Sequence, residues 1–182
     1  EEILWFSLFR TWMGLVGLCK MPWADIAPAD NATKPHPFRI QEHVDNYVKI
    51  FTAVTGKEID EKGILEQSER MHTLQRLLNI RMGLWGVAED SPSYRAMGPV
   101  TEEEYLYREK YYDNEIEKST GIDPSKKKLK ERIEILRKYK YELFEDLQQK
   151  VYAARGWDER GVPTVGTLKR LKIDFQSFQR SY

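Results

Sequence analysis

At 182 residues, 41% hydrophobic and 32% charged, the chain is long enough to bury a sizeable core and reads as a soluble protein with many charged helical surfaces. Its 29 basic residues balance 29 acidic ones, which removes the electrostatic case for binding nucleic acid or an anionic membrane. A single cysteine excludes an internal disulfide and a cysteine-built zinc site, and it fits a reducing, cytoplasmic compartment.

The opening Glu1-Glu2-Ile3-Leu4-Trp5-Phe6-Ser7-Leu8-Phe9 has no initiator methionine and lacks the basic and small-residue pattern of a signal peptide. Arg10 breaks its apolar run well short of a bilayer span. So hydrophobic a start reads as the middle of a longer polypeptide, and the chain is expected to be a fragment. Leu4, Trp5, Leu8, Phe9, Trp12, Met13, Leu15 and Val16 recur at helical spacing over a wide arc, which predicts a buried first helix. Pro22, Pro28, Pro35 and Pro37 then predict an extended loop over 21–38. A second helix is predicted over 40–55, with Val44, Tyr47, Val48 and Phe51 on one face and Gly56 ending it. Asp60 is placed to cap a third helix over 61–82.

Residues 83–100 are rich in glycine and proline and read as loop. Thr101 followed by three glutamates predicts another helix start, and a long charged helix is predicted from 124 to 155. Two close turns follow, at Arg155–Asp158 and Gly161–Thr164, and Thr164 is placed to cap a last short helix through Leu171. With no strand pattern and no repeat, the expected class is all-α: an irregular multi-helix domain with long connecting loops and one long charged helix.

Chemistry-bearing motifs are sparse. His36, His43 and His72 do not pair with a cysteine or an acid at metal-site spacing, and no phosphate loop, nucleophile elbow or zincin motif is present. The basic run Lys126-Lys127-Lys128-Leu129-Lys130 is followed by Glu131, Glu134, Glu142, Glu145 and Asp146, the pattern of a solvated helix with local ion pairs. That leaves Cys19, in Gly17-Leu18-Cys19-Lys20. Composition favours a small buried apolar residue there. Its neighbours favour a thiolate offered to a body outside the chain, since glycine permits close backbone approach and lysine favours the thiolate.

Three blocks together resemble the C-terminal domain of the tungsten-containing aldehyde:ferredoxin oxidoreductase family. Gly17-Leu18-Cys19 is similar to the end of that family's D-x-x-G-L-C motif. Ala53-Val54-Thr55-Gly56, Glu69-Arg70, Leu74-Gln75-Arg76 and Asn79-Ile80-Arg81-Met82-Gly83 resemble its A-V-T-G turn and the E-R, N-L-E-R and N-x-R-x-G helix. Tyr152-Ala153-Ala154-Arg155-Gly156-Trp157-Asp158, with Gly161-Val162-Pro163-Thr164, is similar to its near-terminal Y-x-x-R-G-W-D-x-x-G-x-P-T signature.

The resemblance implies an enzyme in which a tungsten held by two pterin dithiolenes (tungstopterin) oxidises an aldehyde to a carboxylic acid. Electrons leave through an adjacent [4Fe-4S] cluster to ferredoxin. Three cluster cysteines belong to a C-x-x-C-x-x-x-C stretch in an earlier domain, and Cys19 corresponds by position to the fourth. Gly17 and Leu18 would lie with their backbone against one pterin. Under this resemblance the chain, 1–182, is a C-terminal fragment that needs the enzyme's N-terminal domains and binds neither cofactor alone; no residue is assigned a catalytic role. A homo-oligomer is left open. Trp157 and Pro163 would lock a turn, and Glu69, Arg70, Arg76 and Arg81 would form buried or interdomain ion pairs. Two departures stand out: Gly14 replaces the family's acid five residues before the cysteine, and the charged stretch 101–150 reads as a divergent insertion. The competing expectation, from a different class, is a non-catalytic helical interaction module in which Cys19 is plain core and the 124–150 helix binds a partner.

Overall fold

The computed structural model describes residues 2–19, 32–37, 39–84 and 86–173. Among them are seven α-helices and no strand, so the chain is all-α. It divides into two compact units, Glu1–Leu84 with Val162–Tyr182, and Trp85–Gly161.

The first unit holds α1 (Glu2–Leu15), α2 (Gln41–Thr55), α3 (Glu61–Arg81) and α7 (Val165–Arg170). Its core is aromatic: Phe9, Trp12 and Met13 of α1 pack with Val44 and Tyr47 of α2 and Ile64 of α3. Trp12 meets Tyr47 and Phe51 at ring separations of 6.3 and 5.7 Å, and Phe9 meets Trp5 at 5.0 Å. These offset and edge arrangements suit the ring quadrupoles. Both indole N–H groups are tied to α3: Trp5 Nε1 donates to Glu61 (2.7 Å) and Trp12 Nε1 to Gln67 (3.1 Å). Thr11 meets His72 at 2.8 Å, so residue numbers rise together along the two helices, and α1 and α3 run parallel.

The wide apolar arc of α1 predicts burial nearly all round, and here the structure differs. Only Phe9, Trp12 and Met13 are buried, while Leu15 is 44% exposed, because α2 and α3 cover one side of the helix and leave its C-terminal end bare. Asp60 caps α3 as predicted, its side chain accepting the Gly63 amide at 2.7 Å, and Gly56 ends α2 in the left-handed region. Of the loop predicted over 21–38, only 32–37 lie among the described residues, as a short 3-10 turn and bends; Pro22 and Pro28 lie outside them.

The second unit holds α4 (Glu102–Tyr107), α5 (Glu109–Thr120) and α6 (Leu129–Ala154) around Tyr105, Ile116, Ile133 and Leu136. Thr101 caps α4 by accepting the Glu104 amide. The long helix starts at Leu129 rather than 124. Asp123 accepts both the amide and the hydroxyl of Ser125 (3.0 and 2.6 Å), closing a single 3-10 turn at Pro124–Lys126. The chain then turns extended at Lys128, whose amide donates to Glu131 at 2.8 Å. Buried Tyr105 donates to Asp113 (2.7 Å), which also receives Arg132. Burial, then the Asp113 carboxylate, pushes the Tyr105 hydroxyl's pKa above its usual range. The predicted local ion pairs are present on α6, Lys138–Glu142 and Lys150–Asp146.

One backbone device ends α1, α3, α6 and α7. The second residue past the helix takes a left-handed conformation, and the next amide reaches back five residues: Leu18 to Met13 (2.8 Å), Leu84 to Asn79 (2.9 Å), Trp157 to Tyr152 (2.9 Å) and Ile173 to Leu168 (3.0 Å). This Schellman arrangement satisfies carbonyls the helix itself leaves unpaired. Three of the left-handed positions are glycine; the fourth is Lys172 at φ 53°. Gly83, at φ 77°, has open space where a Cβ would sit, so Gly83→Ala isolates the backbone strain and should cost about 1 kcal/mol in denaturant unfolding. Lys172→Gly should act in the opposite direction, raising stability by less than about 1 kcal/mol.

The turn carboxyls supply a pH signature. The Ser125 hydroxyl and amide and the Lys126 ammonium hold the Asp123 carboxyl down at about 2. A carboxyl depressed by folding adds stability that is present above its unfolded value and lost as pH falls through its folded one. Thermal melts between about pH 4 and about pH 2 should therefore lose less stability in Asp123→Ala than in the parent chain.

Candidate functional site

Cys19 follows directly from the Schellman end of α1. With Val16 closing the last turn and Gly17 at φ 75°, the Gly17 and Leu18 amides are consumed by the carbonyls of Gly14 (3.3 Å) and Met13 (2.8 Å). The chain is thereby turned off the helix axis at the residue before the thiol. Cys19 is exposed, and Leu15, Val16 and Leu18 around it are 44, 36 and 37% exposed. The reading of Cys19 as plain buried core is therefore corrected: beyond Met13 no helix among the described residues covers this end of α1.

Gly17 has a sufficient local reason to be glycine, its left-handed φ, and no heavy atom lies within 4 Å of where its Cβ would be. Gly14, where the family pattern has an acid, is the last-turn residue whose carbonyl receives Gly17. No group of three or more histidine, cysteine, aspartate or glutamate side chains capable of holding a metal exists among the described residues. The histidines take ordinary structural roles: His36 lies 3.3 Å from Glu2, and His72 meets Thr11.

The remaining signature residues are brought to other places. Glu69 receives Arg170 of α7 through both carboxylate oxygens (2.8 and 2.5 Å), an ion pair expected for Glu69 with a partner 101 residues away that sequence spacing gave no sign of. The carboxylate in turn raises the Arg170 pKa. Arg76 is buried, at 6% exposure. Arg70 and Arg81 are exposed and make no ion pair with a described residue, which removes the buried half of the expectation and leaves its interdomain half untested. In the second unit, Trp157 packs on Tyr152 at 6.0 Å, with Arg155 over its ring at 5.5 Å. These contacts lock the turn in the predicted manner, and Tyr152 donates its hydroxyl to Asp90. Pro163 is buried in the first unit.

A groove of about 560 Å³ lies at the opposite end of α1, lined by Leu4, Trp5, Leu8, His36, Arg39 and Glu61. Its two acids are already engaged, since Glu61 receives Trp5 and Arg39 and Glu2 lies 3.3 Å from His36. A helix of α1's length separates this groove from Cys19 by about 20 Å. The groove and the cysteine are separate features.

A family model described as aldehyde ferredoxin oxidoreductase, domains 2 & 3, matches residues 1–173. The chain belongs to the aldehyde ferredoxin oxidoreductase family. No curated protein and no solved structure matches it. Within this family the chain's context is that of an oxidoreductase with further domains. Of the glycines in the motifs the chain resembles, Gly17, Gly56, Gly83 and Gly156 end helices at positive φ, and Gly161 takes a positive φ in the turn between α6 and α7. No helix among the described residues is long and apolar enough to cross a membrane.

An exposed thiol reacts without unfolding. In native buffer Cys19 should be titrated by an aromatic disulfide reagent at a rate close to that in denaturant. A rate slower by more than about a hundredfold would mean that the side chain is covered.

Proposed function

We propose that this chain is the C-terminal part of a cytoplasmic tungstopterin and iron–sulfur oxidoreductase that converts aldehydes to carboxylic acids and passes the electrons to ferredoxin. The observation that supports this best is Cys19 itself: the chain's one thiol, exposed immediately after a helix stop, in a member of a redox family. The donor set fits the group. A [4Fe-4S] cluster takes four thiolates, and this chain offers one, outward, with no competing donor cluster among its described residues.

In this reading the Cys19 thiolate is the fourth cluster ligand, and the backbone of Gly17 and Leu18 lies against one pterin. The open space at the Gly17 Cβ position supports that approach. When bound, the cluster supplies one-electron transfer and the metal–pterin centre supplies oxidation of the aldehyde carbon. The chain's own residues hold and orient. α1, anchored through Trp5 and Trp12, fixes where the thiol stands, and the Schellman turn fixes which way it faces. Gly14 brings no carboxylate, so the hydrogen bonds an acid would make to the pterin come from elsewhere or are absent. The stretch 101–150, lying wholly in the second unit, is proposed as a family-divergent insertion.

A second reading, a helical interaction module, draws on Leu143 and Leu147, 53 and 38% exposed one turn apart on α6. Both readings meet one experiment. In the anaerobically reconstituted full-length enzyme, Cys19→Ala should lose the electron paramagnetic resonance signal of the reduced [4Fe-4S] cluster and electron transfer to ferredoxin. An unchanged signal would remove Cys19 from the ligand set and favour the module.

A further inference from the structure

Three side-chain contacts hold α1 to α3, and they differ in their distance from the thiol. Trp5 reaches Glu61 near the start of α1. Trp12 reaches Gln67, and Thr11 meets His72, about two turns nearer to Cys19. The Thr11 hydroxyl also lies 2.9 Å from the Ser7 carbonyl, which takes its single proton. At 2.8 Å Thr11 is therefore the acceptor, and His72 donates through its Nε2–H.

Past these two contacts α1 projects. Met13 is its last buried residue, and Gly14, Leu15, Val16, Gly17, Leu18 and Cys19 are all exposed. The helix stop is hung from the same place, since the Val16 amide donates to the Trp12 carbonyl (3.1 Å) and the Leu18 amide to the Met13 carbonyl (2.8 Å). The segment from Gly14 to Cys19 is thus a cantilever whose fixed end is Thr11, Trp12 and Met13. A tilt at a fixed end grows toward the free end, and a metal–ligand bond tolerates an error of only about 0.2 Å. Gln67 is itself exposed, yet its side-chain oxygen holds an indole that is 1% exposed. It acts as a tether more than as a packing group.

We infer that Gln67 and His72 are positioning residues for the Cys19 thiolate. Each bonds α1 at the fixed end of the projecting segment, and together they set where the sulfur meets the cluster. The Trp5–Glu61 contact has less hold on the thiol, because the Trp12, Thr11 and Met13 anchors stand between them. This role rests on the cluster assignment proposed above.

The test uses the anaerobically reconstituted full-length enzyme. It reads the electron paramagnetic resonance spectrum of the reduced cluster and the rate at which an iron chelator strips it. Gln67→Met removes the acceptor and His72→Leu the donor. Each should shift or broaden the spectrum and speed iron loss on the order of tenfold or more, as loss of a bond that orients a metal ligand does. Gln67→Glu keeps a side-chain oxygen for the Trp12 indole and should restore both readouts. Glu61→Leu, which breaks the far contact, should leave both close to wild type, and far-UV circular dichroism checks that every variant is folded. Wild-type spectra and stripping rates in folded Gln67→Met and His72→Leu, with the signal lost in Cys19→Ala, would overturn the positioning role and leave the cluster assignment standing. So would iron loss in Glu61→Leu as fast as in Gln67→Met, since the effect would then be a general loosening of α1. A signal that survives Cys19→Ala overturns both, because no ligand is left to position.

Discussion

A helix must dispose of its last carbonyls, and in this protein the way it does so governs where functional residues face. Four helix ends use the same left-handed stop, at Gly17, Gly83, Gly156 and Lys172. Each stop satisfies two carbonyls with the following amides and swings the chain off the helix axis within one residue. At α1 that swing is what exposes Cys19. At α6 it stacks Trp157 on Tyr152, so the Arg155-Gly156-Trp157-Asp158 string is first of all a helix terminator. The family's glycines therefore have a backbone reason to exist before any cofactor is invoked.

The stop would be of little use on a mobile helix, and α1 is not mobile in register. Trp12 and Met13 are essentially inaccessible, and the two indole N–H groups are held by α3 at points about two turns apart. Sliding α1 along α3 would break both bonds and misalign the ring contacts, so the thiol's position is fixed to α3. That coupling fixes the C-terminal end of α1, and the thiol after it, to the same α3 that carries the exposed Met71, Leu74, Leu78 and Met82.

Features set by a few neighbouring residues were legible in the sequence. Asp60, Thr101 and Thr164 cap the helices they precede, and Gly56 ends α2, because capping depends on side chains within three residues of the amide they bind. The start of α6 was misplaced by five residues, since Asp123 and Ser125 close a turn that competes with the helix for the same amides. The Glu69–Arg170 clamp could not be read from spacing at all, as it joins side chains 101 residues apart that only the tertiary fold brings together.

For the candidate site the division runs along the same line. The sequence by itself determined the all-α class, the helix stops, the lone thiol and the family, because these follow from local periodicity, from turn chemistry and from residue identity in order. Only the tertiary structure decided that Cys19 is exposed rather than core, that α1 is covered on one side alone, and that half of α3's apolar face is bare. Burial is a property of what lies opposite a residue, and a periodic pattern reports the face without reporting its neighbour.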